Sequence, residues 1–379
     1  MKISLIFIGT TGAGPVYSYE MAKALAADQR CQLQVIISAN VSNLDVWKAT
    51  FADSPVDFHV VKTYNRNKVS VFLNSFNLLR KYHIYKLIKT FRPDVVYSPF
   101  VLLWERFLFG MMHGKAHVIK TIHDLKLHDS YHNLGDFMTK MLNWGSMRYV
   151  DSIVLLNRKD QPLAEQRYHR PTVVIPHASF SYYSNKPAQG EFHVKKTIAF
   201  IGRIEPYKGL DLLLEAFKAL KTPDVKLIIA GNGKIEDKLL KSINEEKNIE
   251  LINRYIEDDE FQQLFCRTDF IILPYKRASQ SGVIPLCFAN GLTVVATNVG
   301  AIAEQVPEGT GIIVNPTADD ISQAIDSLYD HQELIAKYGN AAYEYSQTHL
   351  TWENSASILI QHITSVTKCP VSSANQSSQ

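Results

Sequence analysis

Two cations set five residues apart, Arg203 and Lys208, stand in the segment IAFIGRIEPYKGLDLLLEAFKAL. The apolar run ending at Ile201 reads as a buried strand, Gly202 lets the chain turn tightly, and a helix begins near Gly209–Asp211. Both cations therefore sit in one strand-to-helix loop, where a guanidinium fork and an ammonium suit a diphosphate. The plainer reading is a pair of solvated loop cations, with Asp211 capping the helix. Further on, Ser279, Gln280, Ser281 and Gly282 follow a strand at Phe270–Leu273 and precede an apolar helix. Small residues at a helix start leave N–H groups pointing outward toward an anion; the alternative is an ordinarily capped helix. Both loops follow strands of one sheet and are expected to converge on one ligand. In the first half, His123 and Asp124 stand together at another strand end, where the histidine suits a site and the aspartate also suits a plain turn.

These residues need elements to carry them. Short apolar runs at Ile3–Ile8, Leu33–Ser38, Val95–Tyr97, Val118–Thr121, Ile153–Leu155 and Val173–Ile175 read as strands. Helical patterns fill Val16–Ala27, Val69–Thr90 and Leu134–Tyr149 between them. The second half repeats the rhythm with strands at Ile198–Ile201, Lys226–Ala230, Ile249–Leu251, Phe270–Leu273, Thr293–Ala296 and Gly311–Val314. Leu210, Leu213, Leu214, Phe217 and Leu220 share one helical face. Strands alternating with helices predict an α/β fold with parallel sheets covered on both sides. Two such series predict two doubly wound, Rossmann-like domains facing a cleft, with ligands beyond the carboxyl ends of the strands. The expected domains are 1–180 and 181–349, joined by a polar linker at Ser179–His193, and the Ser-, Asn- and Gln-rich tail 369–379 is expected to be disordered.

The chain has 379 residues, 46% hydrophobic, 20% charged and 11% aromatic. Those are globular proportions for about two domains, and they exclude disorder, collagen, coiled coil and a small disulfide scaffold. Four cysteines, Cys31, Cys266, Cys287 and Cys369, stand far apart without a Cys-x-x-Cys pair, which favours a reducing compartment and no zinc site. Cys266 and Cys287 sit in apolar helical surroundings and are expected in the core. The short apolar N-terminal run reads as a strand and not as a signal peptide or membrane span. Net charge is only +3, which argues against a nucleic-acid binder, but residues 1–180 hold 22 Lys+Arg against 13 Asp+Glu while the rest holds 18 against 24. From Phe58 to Pro93 there is no acid and there are eight cations: Lys62, Arg66, Lys68, Arg80, Lys81, Lys86, Lys89 and Arg92. Tyr64, Phe72, Phe76, Tyr82, Tyr85 and Phe91 lie among them. Such a stretch suits an anionic membrane surface, against the alternative of an amphipathic helix with a solvated basic face.

In combination these motifs resemble the GT-B glycosyltransferases, specifically the retaining enzymes of family 4 (glycosyl transferases group 1). Gly202-Arg203 with Lys208-Gly209 resembles that family's glycine-arginine and lysine-glycine signature. Ile228–Gly233, the segments NRYIEDDEFQQLFCRTDFIILPY and TVVATNVGAIAE, and TGIIVNPTADDISQAI resemble its succeeding strands and turns. GTTGAG resembles its glycine-rich first loop, and Trp352 resembles an aromatic residue where a last helix, around 350–366, crosses back to the first domain. The resemblance implies transfer of a sugar from a nucleotide-diphosphate donor with retention of configuration. It implies that Arg203 and Lys208 neutralise the departing diphosphate, assisted by backbone N–H groups near Ser281 and Gly282. Gln280 would stand in the same loop, Tyr255 and Ile256 would lie near the base through main-chain contacts, Gly12 and Gly14 would let the first loop approach the sugar, and His123 would face the reacting sugar. The nucleotide sugar is then a co-substrate, and no cofactor is expected.

The sequence departs from the resemblance in one respect. Many members carry two glutamates, seven residues apart, around the second loop, whereas no acid occurs from Lys276 to Ala303. Ser279 or Gln280 stands about where the first would be and Cys287 or Phe288 where the second would be, so the loop resembles a QSG variant form. Glu304 is the nearest acid and is a donor-site candidate, or a cap of the helix after Gly300. The sequence has no clustered His/Asp/Glu set and no Asp-x-Asp triplet, so no metal is expected. Two other readings compete: a sugar-nucleotide epimerase or hydrolase on the same fold, which needs acids against the sugar, and a non-catalytic sugar-nucleotide-binding partner subunit. The expected acceptor is a saccharide or lipid-linked molecule in bacterial surface polysaccharide synthesis, and the expected location is cytoplasmic, peripheral on the inner face of the membrane.

Overall fold

Strand residues of the second half alternate between two hydrophobic layers. Ile198, Phe200, Leu227, Ile229, Phe270 and Ile272 enter one; Ala199, Ile201, Ile228, Ala230, Ile271 and Leu273 enter the other. A period of two with both sides buried requires a sheet covered on both faces, and helices supply the covers. The computed structural model describes residues 1–64, 74, 76–125, 145–180 and 193–368. They form two compact units.

Unit 1 comprises Met1–Leu156, Asp160–Pro176 and the chain from Trp352 onward. Its seven strands are β1 (Lys2–Phe7), β2 (Gln32–Ser38), β3 (Asp57–Val61), β4 (Val95–Ser98), β5 (His117–Ile122), β6 (Ser152–Leu155) and β7 (Thr172–Val174). All pair in parallel, in the order β3-β2-β1-β4-β5-β6-β7. Its helices are α1 (Gly14–Ala27), α2 (Leu44–Phe51), α3 (Leu78–Phe91), α4 (Glu105–Met112), α5 (Gln161–Tyr168) and, at the far end of the chain, α13 (Trp352–Lys368), which packs on α1. The buried residues Trp352, Leu359, Ile360 and Ile363 give α13 its apolar face.

Unit 2 comprises Asn157–Lys159 and His177–Thr351. Its strands are β8 (Thr197–Ile201), β9 (Lys226–Ala230), β10 (Ile249–Ile252), β11 (Phe270–Leu273), β12 (Thr293–Thr297) and β13 (Gly311–Val314), parallel in the order β10-β9-β8-β11-β12-β13. Helices α6 (Leu210–Lys218), α7 (Asp237–Glu245), α8 (Asp258–Arg267), α9 (Val283–Ala289), α10 (Ile302–Gln305), α11 (Ala318–Asp330) and α12 (Gln332–His349) alternate with them. In each sheet the first strand lies between the second and the fourth. The order of winding therefore reverses between β1 and β4 in unit 1 and between β8 and β11 in unit 2, and a crevice opens there beyond the carboxyl ends of the strands.

The α/β doubly wound expectation holds in both units, and the six second-half strands fall where periodicity puts them. The first half differs in detail. Strand β3 and helices α2, α4 and α5 were not anticipated, because runs of five to eight residues carry too few turns of pattern to stand out. Helix α3 starts at Leu78, where the Asn77 side chain accepts the Arg80 N–H and so fixes the first turn. The expected helix at Leu134–Tyr149 is described only at its end, where Ser146–Tyr149 makes a 3-10 turn. Arg66, Lys68 and Phe72, most of the linker Ser179–His193, and the tail 369–379 lie outside the described residues. Cys266 is exposed, not buried. The core face of α8 is carried by Leu264 and Phe265, and Cys266 falls one residue, about 100°, beyond it.

Candidate active site

The turn after β8 and the loop after β11 flank the reversal point of unit 2. Gly202 leaves the sheet with φ 123°, and a 3-10 turn at Pro206–Lys208 follows. Gly209 then takes a left-handed conformation at φ 71°, and a Cβ there would overlap the Pro274 carbonyl. Only glycine meets both conditions, so the two loops press together backbone to backbone. Lys276 N–H donates to the Tyr207 carbonyl at 2.8 Å and adds a second tie.

This contact brings Lys208 against Tyr275. The Lys208 Nζ lies 3.3 Å from the Tyr275 hydroxyl and 5.1 Å from the ring centroid. A side chain at position 202 would collide with that amino group, since a Cβ there would lie 2.8 Å from Nζ. Among the described residues no carboxylate lies within ion-pair distance of Lys208. Loss of water around the amino group lowers its pKa, and the Arg203 charge lowers it further, while Tyr207 and Glu205 act in the opposite sense. Arg203 itself is 74% exposed along its side chain and only loosely paired, 3.8 Å from Glu205.

The loop Ser279–Gly282 is held from beneath. Ser281 N–H donates to Gln305 Oε1 at 2.6 Å, and Gln305 Nε2 returns a bond to the Ser281 carbonyl at 3.1 Å. The Ser281 hydroxyl is buried, 3.2 Å from the Tyr275 hydroxyl, and accepts the Val283 N–H at 3.2 Å. The expected free N–H at Ser281 is therefore occupied, whereas that of Gly282 has no partner among the described residues. Gln280 Oε1 is buried without a hydrogen-bond partner. A Cβ at Gly300, φ 54°, would overlap the Ala278 carbonyl, so the turn after β12 clamps the base of the same loop. Cys287 and Phe288 are fully buried in the core, and burial pushes the Cys287 thiol up. The places where a second glutamate would stand thus carry only apolar packing.

The remaining candidates of unit 2 fall into three groups. Tyr255 is 66% exposed, while the Ile256 side chain belongs to the core. The preceding Arg254 pairs with Glu260 at 2.5 Å, and Glu257 with Glu260 forms a capping box that starts α8. Glu304 does not cap its own short helix. Its carboxylate accepts the N–H groups of Arg158 at 2.7 Å and Lys159 at 3.2 Å, and Lys159 Nζ donates to the Gly300 carbonyl at 2.7 Å. His177 is buried beside Gly282, with Nδ1 2.8 Å from the Ala178 carbonyl, and burial lowers its pKa, so the ring is neutral.

Unit 1 presents a second constellation at its own reversal point. His123 follows β5; its Nε2 lies 2.9 Å from the Pro99 carbonyl, which can only accept, so Nε2 carries the proton. The ring lies tilted against Phe100 at 4.2 Å and meets Tyr17 edge-on at 4.7 Å. Tyr17 meets Trp352 on its other side at 5.0 Å. Gly14 opens α1 against the Phe7 ring, where a Cβ would lie 2.9 Å away, while Gly12, φ 84°, faces open space. The structure thus groups Arg203, Lys208, Gln280, Ser281 and Gly282 around one crevice of unit 2, and Gly12, Gly14 and His123 at the β1, β4 and β5 ends of unit 1. Sequence reasoning missed Tyr275, Gln305 and Tyr17. Tyr275 carried a usable signal, being two residues past the β11 strand end; Gln305 and Tyr17 look like ordinary helix residues.

Comparison with known proteins agrees with the fold. Residues 195–331 match the family described as Glycosyl transferases group 1. A D-inositol 3-phosphate glycosyltransferase from Corynebacterium glutamicum is 28% identical over 43% of this chain and 42% of its own length. An uncharacterized glycosyltransferase from Haemophilus influenzae is 23% identical over 86% of this chain and 89% of its own. The chain spans about half the length, or less, of several other relatives it matches, as with 44% and 52% of two from Methanocaldococcus jannaschii. Among solved structures, a glycosyltransferase from Rickettsia africae superposes with a TM-score of 0.70 at 17% identity, covering 97% of this chain and 99% of that one. HepE from Anabaena in complex with UDP-glucose superposes with a TM-score of 0.66 at 14% identity, covering 97% and 100%. The chain has the two-unit GT-B fold of these structures, and its second unit carries a glycosyl transferases group 1 segment.

Proposed function

We propose that the chain is a retaining glycosyltransferase of family 4, moving a sugar from a nucleotide-diphosphate donor to a saccharide or lipid-linked acceptor. The observation that carries this reading is Lys208: a part-buried ammonium, with no carboxylate within ion-pair distance among the described residues, at the reversal point of a parallel sheet. A charge left uncompensated there is stabilised by an anion that binds beside it. HepE, a structural neighbour, was captured with UDP and with UDP-glucose, which supports a nucleotide sugar as that anion.

In the reaction the bond from the anomeric carbon to the β-phosphate oxygen breaks, and its electron pair goes to that oxygen. The sugar gains oxocarbenium character while negative charge grows on the leaving diphosphate. Arg203 and Lys208 stabilise that growing charge, and the Gly282 N–H adds a dipole. The acceptor hydroxyl attacks on the face the diphosphate leaves, and its proton passes to the departing phosphate oxygen. No carboxylate nucleophile is required. Gln280 Oε1, buried without a hydrogen-bond partner, accepts from a hydroxyl of the sugar donor. Incubation with a panel of nucleotide sugars tests the reading: nucleoside diphosphate should appear with acceptor present. An epimerised donor, or binding without any turnover, would favour the competing classes instead.

The acceptor side of the proposal is a lipid-linked substrate at an anionic bilayer, of the kind used in surface polysaccharide synthesis. Helix α3 buries Ile84, Tyr85 and Ile88 and turns Leu79 outward, 84% exposed, with Leu78, Tyr82 and the neighbouring Phe76 also exposed. Lys86, Lys89 and Arg92 are exposed further along. Exposed apolar side chains at one end and cations at the other fit the interface of an anionic membrane better than a solvated helix. Arg80 is excluded from that surface, because its guanidinium is bonded inward to the Thr63 carbonyl and Asn74 Oδ1. No helix among the described residues is long and apolar enough to cross a membrane.

A further inference from the structure

We propose that Tyr275 is a positioning residue of the donor site, whose hydroxyl joins the Lys208 ammonium and the Ser281 hydroxyl into one relay aimed at the diphosphate. The proposal rests on the donor-site reading of Lys208 given above. Its basis is the direction of the hydrogens. An ammonium can only donate, so the Tyr275 oxygen accepts from Lys208 at 3.3 Å. In the relay the phenol's single hydrogen goes to Ser281 Oγ, 3.2 Å away, a pair in which either oxygen can donate. That oxygen already accepts the Val283 N–H, so its two lone pairs are both engaged and its own hydrogen is left to point outward. Lysine and serine thereby present donors, and no acceptor, to whatever anion enters the crevice.

The tyrosine is built to stay in this role. Its side chain is buried, and its carbonyl is fixed by the Thr297 hydroxyl at 2.6 Å. Burial pushes its pKa well up, so the phenol remains neutral and protonated. The other charged or titratable groups facing Lys208 are Tyr207, Arg203 and Glu205. Removing the phenol oxygen deletes an acceptor that favours the charged lysine, so the lysine pKa falls further. The run from Lys276 to Ala303 supplies no carboxylate that could take over the task.

Calorimetric titration of the full chain with UDP, with GDP run beside it, tests the relay across pH. Tyr275→Phe keeps the ring under Lys208 and deletes only the hydroxyl. It should weaken nucleoside diphosphate binding about ten- to hundredfold, the change expected for losing a hydrogen bond to a charged group. The deficit should grow from pH 7 to pH 9.5, because the variant's lysine loses its proton earlier. In a Lys208→Ala background the same substitution should cost clearly less than in the parent, because only the Ser281 arm is left to lose. A deficit independent of pH, or one that adds fully to Lys208→Ala, would mean that Tyr275 only supports the packing and would overturn the relay. If Tyr275→Phe melts well below the parent, Ser281→Ala replaces it, and unchanged UDP binding in that variant overturns the relay equally. If Lys208→Ala binds as tightly as the parent, or the parent binds neither nucleotide, it is the donor-site reading that fails.

Discussion

Replacing Lys208 with methionine separates what this residue does for the reaction from what it does for the fold. Methionine keeps the unbranched apolar length and deletes the charge. In the native site the amino group has the Tyr275 hydroxyl as its hydrogen-bond partner and no carboxylate within ion-pair distance among the described residues, and burial holds its pKa below the ordinary lysine value. The folded pKa lies below the unfolded one, so the folded state binds the proton less well. The resulting penalty is fully present below the folded pKa and disappears as pH rises through the unfolded value of about 10.4. Lys208→Met should therefore stabilise the protein at neutral pH, by about 1 kcal/mol, as function-for-stability exchanges commonly do. For a unit of this size that is a rise in Tm of roughly 2–4 °C. Turnover should fall about 100- to 1,000-fold, because a donor acting on developing leaving-group charge contributes roughly 3–4 kcal/mol to the transition state.

The assay is paired: a melting curve at pH 7 and at pH 10.5, and nucleoside diphosphate release from the donor found in the panel. Arg203→Ala serves as the comparison. Its side chain is largely exposed and only loosely paired with Glu205, so its loss should leave Tm unchanged while also cutting turnover at least ~100-fold. A variant at position 208 that melts lower and keeps near-parental turnover would refute the argument, since it would mean that the lysine is a structural cation and not a ligand group.

Four further outcomes are expected. Gly300→Ala, whose Cβ would overlap the Ala278 carbonyl at positive φ, should destabilise unit 2 by more than about 2 kcal/mol in denaturant melts, whereas Gly12→Ala, facing open space, should cost only about 1 kcal/mol. His177, His117 and His362 all have pKa values lowered by burial, so their contribution to stability should be constant above about pH 6.5 and decline below it; a melting series on His177→Asn should show a shallower decline, and an unchanged slope would contradict the burial argument. Turnover should persist in excess EDTA, as expected of a chain without an Asp-x-Asp triplet, and loss restored by Mg²⁺ would show a missed ligand set. Leu79→Glu combined with Lys86→Gln and Lys89→Gln should abolish co-sedimentation with anionic liposomes at low salt, removing about 2 kcal/mol of cation attraction as well as the apolar contact, while activity on a soluble acceptor stays near parental.

Legibility from sequence followed the length and isolation of each signal. The four inner strands of unit 2 are short apolar runs buried on both faces, the edge strands β10 and β13 keep three apolar residues each, and turn residues separate them all. Unit 1 was harder to read, because β3 is half-exposed at a sheet edge and its DFHVV run gives no continuous apolar block. Arg203, Lys208 and the QSG loop were legible because charge and small residues at strand ends have few structural uses. Tyr275 was not, although its hydroxyl lies beside both Lys208 Nζ and Ser281 Oγ. A tyrosine beside a strand reads as core, and only the hydrogen-bond directions distinguish a core ring from a polar bridge. Glu304 shows the converse: it was the nearest acid, but it bonds the backbone of Arg158 and Lys159, which lie about 145 positions away in sequence.

The acid-free run from Lys276 to Ala303 changes meaning once these contacts are known. From sequence it reads as a loss, since residues that would grip the donor are missing. In the fold, a carboxylate anywhere beside Tyr275 would pair with Lys208, and that pair would satisfy the lysine before any ligand arrived. In the proposed relay a neutral phenol and a neutral serine orient the ammonium without cancelling its charge, so its attraction remains available to an incoming anion. The same neutrality makes the empty crevice costly to the fold, which is why the site is stiffened where it touches backbone: Gly209 against Pro274, Gly300 against Ala278, Gln305 against Ser281. Electrostatic preorganisation of this kind predicts that inserting an acid does more damage than removing a base. Ser279→Glu, restoring an acid about where many relatives of the resembled family carry one, should weaken nucleoside diphosphate binding in titration; tighter binding would show that the loop tolerates negative charge and that neutrality is incidental.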